Sequence, residues 1–129
     1  MVLTPESRVK ALVKSLLALH NVYSVMPVSN GMGAHGVPDF MVCAYGRFIG
    51  IETKAGKKLP TDLQMSNLRQ IDAAGGIALV INEHNLQELD GVLHVLRIKG
   101  TPRSNYHLFE RAKEADAAEG GPTLKRRRA

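Results

Sequence analysis

Apolar positions change their period along the chain, and the changes mark out the elements. From Pro5 to His20 they fall at Val9, Leu12, Val13, Leu16 and Leu17, the three- and four-residue spacing of one helix face. Thr4 stands where a cap belongs, and Pro5 suits a first turn whose N–H would be unpaired anyway. Over Val22–Val28 the period drops to two, with Tyr23 and Val25 alternating against polar neighbours, which predicts a strand. A glycine-rich stretch, Ser29–Gly36, follows. Two apolar β-rich runs, Asp39–Ala44 and Phe48–Thr53, flank Tyr45-Gly46 and predict a hairpin. After a loop over Ala55–Pro60, a second helix starts near Thr61 and stops at Gly75-Gly76. Ile77–Asn82 reads as a buried strand, and Leu86–Leu96 as a helix with Asn85 as its cap. Beyond Gly100, Pro, Gly and charge dominate, leaving room for a peripheral helix over Ser104–Ala118. The order α-β-β-β-α-β-α predicts an α/β domain over residues 1–98, with 99–129 as a basic, flexible tail.

Composition narrows the classes. At 129 residues, 44% apolar and 22% charged, the chain fits one soluble globular domain and neither a disordered nor a fibrous protein. No apolar run nears the roughly 20 residues a membrane span needs, and the N-terminus lacks a secretory pattern. One cysteine, Cys43, excludes an internal disulfide and an all-cysteine zinc site, so a reducing, cytoplasmic home is expected (the host cytoplasm if the gene is phage-borne). The charge is lopsided. Residues 1–96 hold 8 basic and 8 acidic side chains, whereas residues 97–129 hold 9 and 4, ending Lys125-Arg126-Arg127-Arg128. That cluster fits either non-specific phosphate binding or a solvated terminus. Gly31-Met32-Gly33-Ala34-His35-Gly36 matches a dinucleotide fingerprint, but Val37-Pro38-Asp39 follows where a helix must start, so nucleotide binding is rejected.

The chemistry gathers around three residues. With the hairpin turning at Tyr45-Gly46, opposed pairs run from Ala44 with Arg47 to Asp39 with Glu52. Asp39 and Glu52 then face one another, and Lys54 projects from the same face. Juxtaposed carboxylates repel unless a positive charge lies between them. A divalent cation with hard oxygen ligands, Mg²⁺ or Mn²⁺, satisfies both acids and leaves room for water and a phosphate. Lys54 can orient or activate that water, or stabilise charge on the phosphate. On residues alone, the three also fit a plain Asp–Lys–Glu ion-pair cluster. Glu6 shares the inward face of the first helix, either as a further acid for the site or as a favourable first-turn charge. Gln64 lies on an inward stripe too, yet Thr61-x-x-Gln64 also spells a capping box.

Together, Glu6, Gly36-Val37-Pro38-Asp39, Glu52-Thr53-Lys54 and Gln64 resemble the PD-(D/E)xK nuclease superfamily and, within it, the short stand-alone VRR-NUC domains of phages and bacteria. The resemblance spans roughly residues 4–97. It implies a restriction-endonuclease-like mixed sheet flanked by helices. It implies metal ligation by Asp39, Glu52, the Thr53 backbone carbonyl and Glu6 (directly or through water), with Lys54 and Gln64 completing the catalytic set. The activity implied is metal-dependent endonucleolytic cleavage of structured DNA, such as Holliday junctions, flaps or branches, in repair, recombination or phage DNA processing. Ser29, Asn30, His35, Lys57 and Lys58 are the expected DNA contacts. Cutting two strands in concert needs two sites, so a two-fold homodimer is expected, with the hairpin stem and first helix as candidate interfaces. The competing expectation is a non-catalytic nucleic-acid-binding module on the same fold.

Overall fold

A computed structural model describes residues 3–28, 35–99 and 103–120. The elements in chain order are α1 (Pro5–Leu19), β1 (Tyr23–Val25), β2 (Phe40–Ala44), β3 (Arg47–Thr53), α2 (Asp62–Ala73), β4 (Ile77–Ile81), α3 (Leu86–Arg97) and α4 (Tyr106–Gly120). The strands form one sheet in the order β1-β2-β3-β4. The first three are antiparallel, and β4 joins β3 in parallel after the α2 crossover. None of the described helices is long and apolar enough to cross a membrane.

The hairpin adopts the predicted register, with Ala44 opposite Arg47 and Phe40 opposite Ile51. Its two turn residues, Tyr45 at φ 52° and Gly46 at φ 80°, supply the pair of positive φ angles that lets a two-residue turn match strand twist. Strand alternation then sorts side chains to two faces. On one, Val42, Ala44, Ile49, Ile51, Ile77, Leu79 and Ile81 pack with Val9, Val13 and Leu17 of α1 and Leu89, Leu93 and Leu96 of α3. On the other, Ala78 and Val80 meet Met65 and Leu68 of α2, with Tyr106 and Phe109 against them. Each fully buried aliphatic side chain contributes about 1.5–3 kcal/mol. Thr4 caps α1 as expected, its hydroxyl accepting from the Ser7 N–H at 3.1 Å. The buried stripe of α1 is narrower than predicted, because Leu12 is exposed.

Two further expectations change. Asn85 stands at the N-terminus of α3 but makes no side-chain cap there. Its amide instead donates to the Val80 carbonyl at 2.9 Å and its oxygen accepts from the Asn82 N–H at 2.7 Å. The second concerns the tail, since residues 103–120 are docked rather than loosely attached. The Asn105 N–H donates to the Ala78 carbonyl, and its side-chain oxygen accepts from the Val80 N–H at 2.7 Å. Ser104 Oγ accepts from the Ala78 N–H at 2.8 Å. These bonds satisfy the outer edge of β4, which an unpaired strand would leave open. Ion pairs of Arg69 with Glu110 at 2.7 Å and Lys113 with Asp62 at 2.8 Å tie α4 to α2.

Candidate active site

The lead into β2 is fixed by close packing. Gly36 sits at φ +75°, and a Cβ there would lie 2.8 Å from the Leu63 backbone carbon. Gly50 leaves room for the buried Pro38, whose Cγ would stand 3.1 Å from an added Cβ. Asn67 holds the His35 carbonyl from α2 at 3.1 Å. Gly36-Val37-Pro38 is therefore pinned between α2 and β3, and delivers Asp39 to the mouth of the hairpin.

Asp39 Oδ2 accepts from the Thr53 N–H at 2.9 Å and from Thr53 Oγ1 at 2.5 Å. Its other oxygen lies 3.8 Å from Lys10 Nζ. Glu52, one residue before Thr53, is 1% exposed, and its Oε1 has no hydrogen-bond partner among the described residues. Lys54 Nζ stands 4.0 Å from Glu52 Oε2. Burial, and next the Asp39 carboxylate, push the Glu52 pKa from 4.5 up to about 8, with Lys54 pulling the other way and Glu6 adding to the rise. The protein alone thus leaves this acid short of positive charge. Buried carboxylate oxygens are normally paired with protein, water or an ion, and Glu52 Oε1 has no protein partner among the described residues. Two hard oxygen donors, one buried and unpaired and the other at the site's mouth, fit a divalent cation such as Mg²⁺ or Mn²⁺.

The remaining predicted residues are placed as follows. Glu6 is half-buried in the first turn of α1 and adds to the negative field at Glu52. Among the described residues no three acidic, histidine or cysteine side chains are close enough together to hold a metal ion. Gln64 forms both halves of the capping box, its side-chain oxygen accepting from the Thr61 N–H at 2.9 Å. Lys57 and Lys58 are exposed in the loop after β3, beside a cavity also lined by His84 and Phe109. His35 is exposed. Ser29, Asn30 and the basic cluster at 125–128 lie outside the described residues. Lys10 is the residue the sequence reading passed over. It lies four residues after Glu6 and three before buried Val13, so the helical spacing that singled out Glu6 applies to it equally.

A four-stranded mixed sheet between helices, with two acids at the neighbouring ends of β2 and β3 and a lysine just past one of them, defines a restriction-endonuclease-like α/β fold. Among solved structures the chain is similar to one described as a VRR_NUC domain protein, with a TM-score of 0.53 and 17% identity, covering 81% of this chain and 94% of that one. At this identity the likeness is one of fold. No family model and no curated protein matches the sequence.

Proposed function

We propose that the protein is a Mg²⁺- or Mn²⁺-dependent DNA endonuclease that hydrolyses phosphodiester bonds, selecting branched substrates such as four-way junctions and flaps in DNA repair, recombination or phage DNA processing. The observation that carries this reading is the buried Glu52 carboxylate beside Asp39, with one oxygen unpartnered and its pKa raised to about 8. Asp39, Glu52 and the Thr53 carbonyl would hold the cation, with Glu6 reaching it through water. When bound, the cation polarises a phosphoryl oxygen and makes water a better nucleophile.

The chain's own residues do the rest. Thr53 fixes the Asp39 carboxylate through two hydrogen bonds, leaving Oδ1 for the cation. Lys54, 13% exposed beside Glu52, keeps its ammonium at the same place for a phosphate oxygen or a water. Gln64 keeps its amide NH₂ free of partners among the described residues, available to a phosphate at the N-terminus of α2. Lys57, Lys58, His35, Ser29 and Asn30 would contact the backbone around the cut. A homodimer would bring two sites to a two-fold junction. The exposed apolar side chains Tyr23, Val25 and Phe48 on β1 and the hairpin support an interface there.

One observation favours a second reading. Lys10 and Lys54 already stand beside Asp39 and Glu52, as they would in a non-catalytic DNA-binding module whose acids need no metal. One experiment separates the two. A labelled four-way junction, 5′ flap and linear duplex are incubated with Mg²⁺, Mn²⁺ or EDTA, beside Lys54→Ala. Metal-dependent cutting that disappears in the variant is expected. Binding without cutting in either metal would establish the module instead, and cutting that survives in Lys54→Ala would refute the mechanism.

A further inference from the structure

A cavity of about 330 Å³ opens at the hairpin end of the sheet, lined by Arg47, Asp72, the Gly75-Gly76 turn, Arg103, Ser104 and His107. Arg47 precedes Glu52 by five residues on one strand, so about 17 Å separates the cavity from the carboxylates. This is a different place with different chemistry.

The carboxylate on its wall takes up neither arginine. Asp72, the acid on its wall, accepts hydrogen bonds from Ser104 Oγ at 3.0 Å and Tyr106 Oη at 3.2 Å, and pairs with neither arginine. Arg47 donates one Nη to the Gly75 carbonyl at 3.1 Å and makes no other side-chain hydrogen bond among the described residues. Arg103 is exposed and makes no hydrogen bond or ion pair among the described residues. His107 stands in the first turn of α4, with its ring edge-on to Tyr106 at 6.0 Å between centroids. Gly75, at φ +95° with open space where a Cβ would lie, leaves the mouth clear. Two guanidinium forks with no ion-pair partner among the described residues, around a polar cavity between the start of the 15-residue α4 and the C-terminal turn of α2, match a tetrahedral oxyanion.

We infer that this cavity is a phosphate-binding site, in which Arg47 and Arg103 grip the oxyanion and His107 lies at its rim. The same chemistry serves a backbone phosphate of a nucleic-acid arm or a free phosphate-bearing solute. The inference does not depend on cleavage at Asp39 and Glu52.

The test uses the full chain with inorganic phosphate as the probe. Titration followed by ¹H–¹⁵N NMR is expected to give saturable shifts at residues 47, 75, 76 and 103–107. Arg103→Gln should weaken that binding at least about fivefold. Because Arg103 is exposed and makes no hydrogen bond or ion pair among the described residues, an unchanged spectrum elsewhere in this variant separates lost binding from misfolding. In parallel, affinity for a labelled duplex and four-way junction is measured against salt in EDTA. A fall of about one in the log–log salt slope for Arg103→Gln assigns the site to a nucleic-acid phosphate. Saturable phosphate shifts with an unchanged slope assign it to a free phosphate-bearing solute. Absence of saturable shifts at these residues, or shifts identical in wild type and Arg103→Gln, would overturn the inference and leave the endonuclease reading untouched.

Discussion

Replacing Glu52 with Gln should make the metal-free protein more stable, and the gain should depend on pH. In the unfolded chain this carboxyl ionises near 4.5, whereas in the fold it keeps its proton to about 8. Between those values the native state binds more protons than the unfolded one, so wild-type stability falls as pH rises through the window. At 1% exposure there is little solvent to screen the effect. The loss is on the order of 3 kcal/mol at pH 7 and approaches its limit near pH 8. Glu52→Gln keeps the shape of the protonated acid and cannot ionise, so it escapes this loss. Urea unfolding followed by far-ultraviolet circular dichroism in EDTA, from pH 4 to 8, should show two curves that nearly meet at pH 4 and diverge upward. Adding Mg²⁺ at ten times its dissociation constant should return about 1.4 kcal/mol to wild type and nothing to the variant. Parallel curves, or equal Mg²⁺ stabilisation of both proteins, would refute the claim that Glu52 is a desolvated acid waiting for a cation.

Three further outcomes are expected. Asp39→Asn keeps an acceptor for Thr53 but removes a carboxylate charge from the proposed cation site, so on the endonuclease reading cleavage should fall at least about 100-fold with the unfolding midpoint little moved. Gly36→Ala forces a side chain at φ +75° into the Leu63 backbone; it should cost about 1–3 kcal/mol in urea unfolding. It should also reduce cleavage by shifting the lead into Asp39. Asn105→Ala leaves the buried Val80 N–H without its acceptor, while the Val80 carbonyl keeps Asn85. A loss of about 1–3 kcal/mol is expected, with faster hydrogen exchange along β4 as the independent check.

The hairpin register was legible because its turn is chemically demanding. Gly46 between two β-rich runs marks the turn even though Tyr45 is an uncommon residue at positive φ, and once the turn is placed the opposed pairs from Ala44 with Arg47 to Phe40 with Ile51 are determined. That pairing stops one residue short of Asp39 and Glu52. What stayed hidden depends on polar side chains meeting across long sequence separations. Ser104 and Asn105 look like loop residues in the sequence, and nothing in their spacing reveals that they complete the hydrogen bonding of a strand 25 residues earlier. Asn85 reads as a helix cap because type and position fit, but the Val80 carbonyl is the partner it takes. Gln64 carried two readings in the sequence, and the fold gives its oxygen to the cap. Lys10 was legible in principle, since the helical face was already drawn; what the sequence lacked was how near the start of α1 comes to Asp39.

The asymmetry of the sheet's two margins has a consequence for valency. β4 ends in side-chain and backbone bonds from Ser104 and Asn105, whereas β1 is the other outermost strand, with Tyr23 and Val25 exposed. Edge-to-edge growth into a filament requires two receptive margins per subunit, and this sheet has one among its described strands. Edge-to-edge pairing between the described strands would therefore join β1 to β1 and stop at two copies.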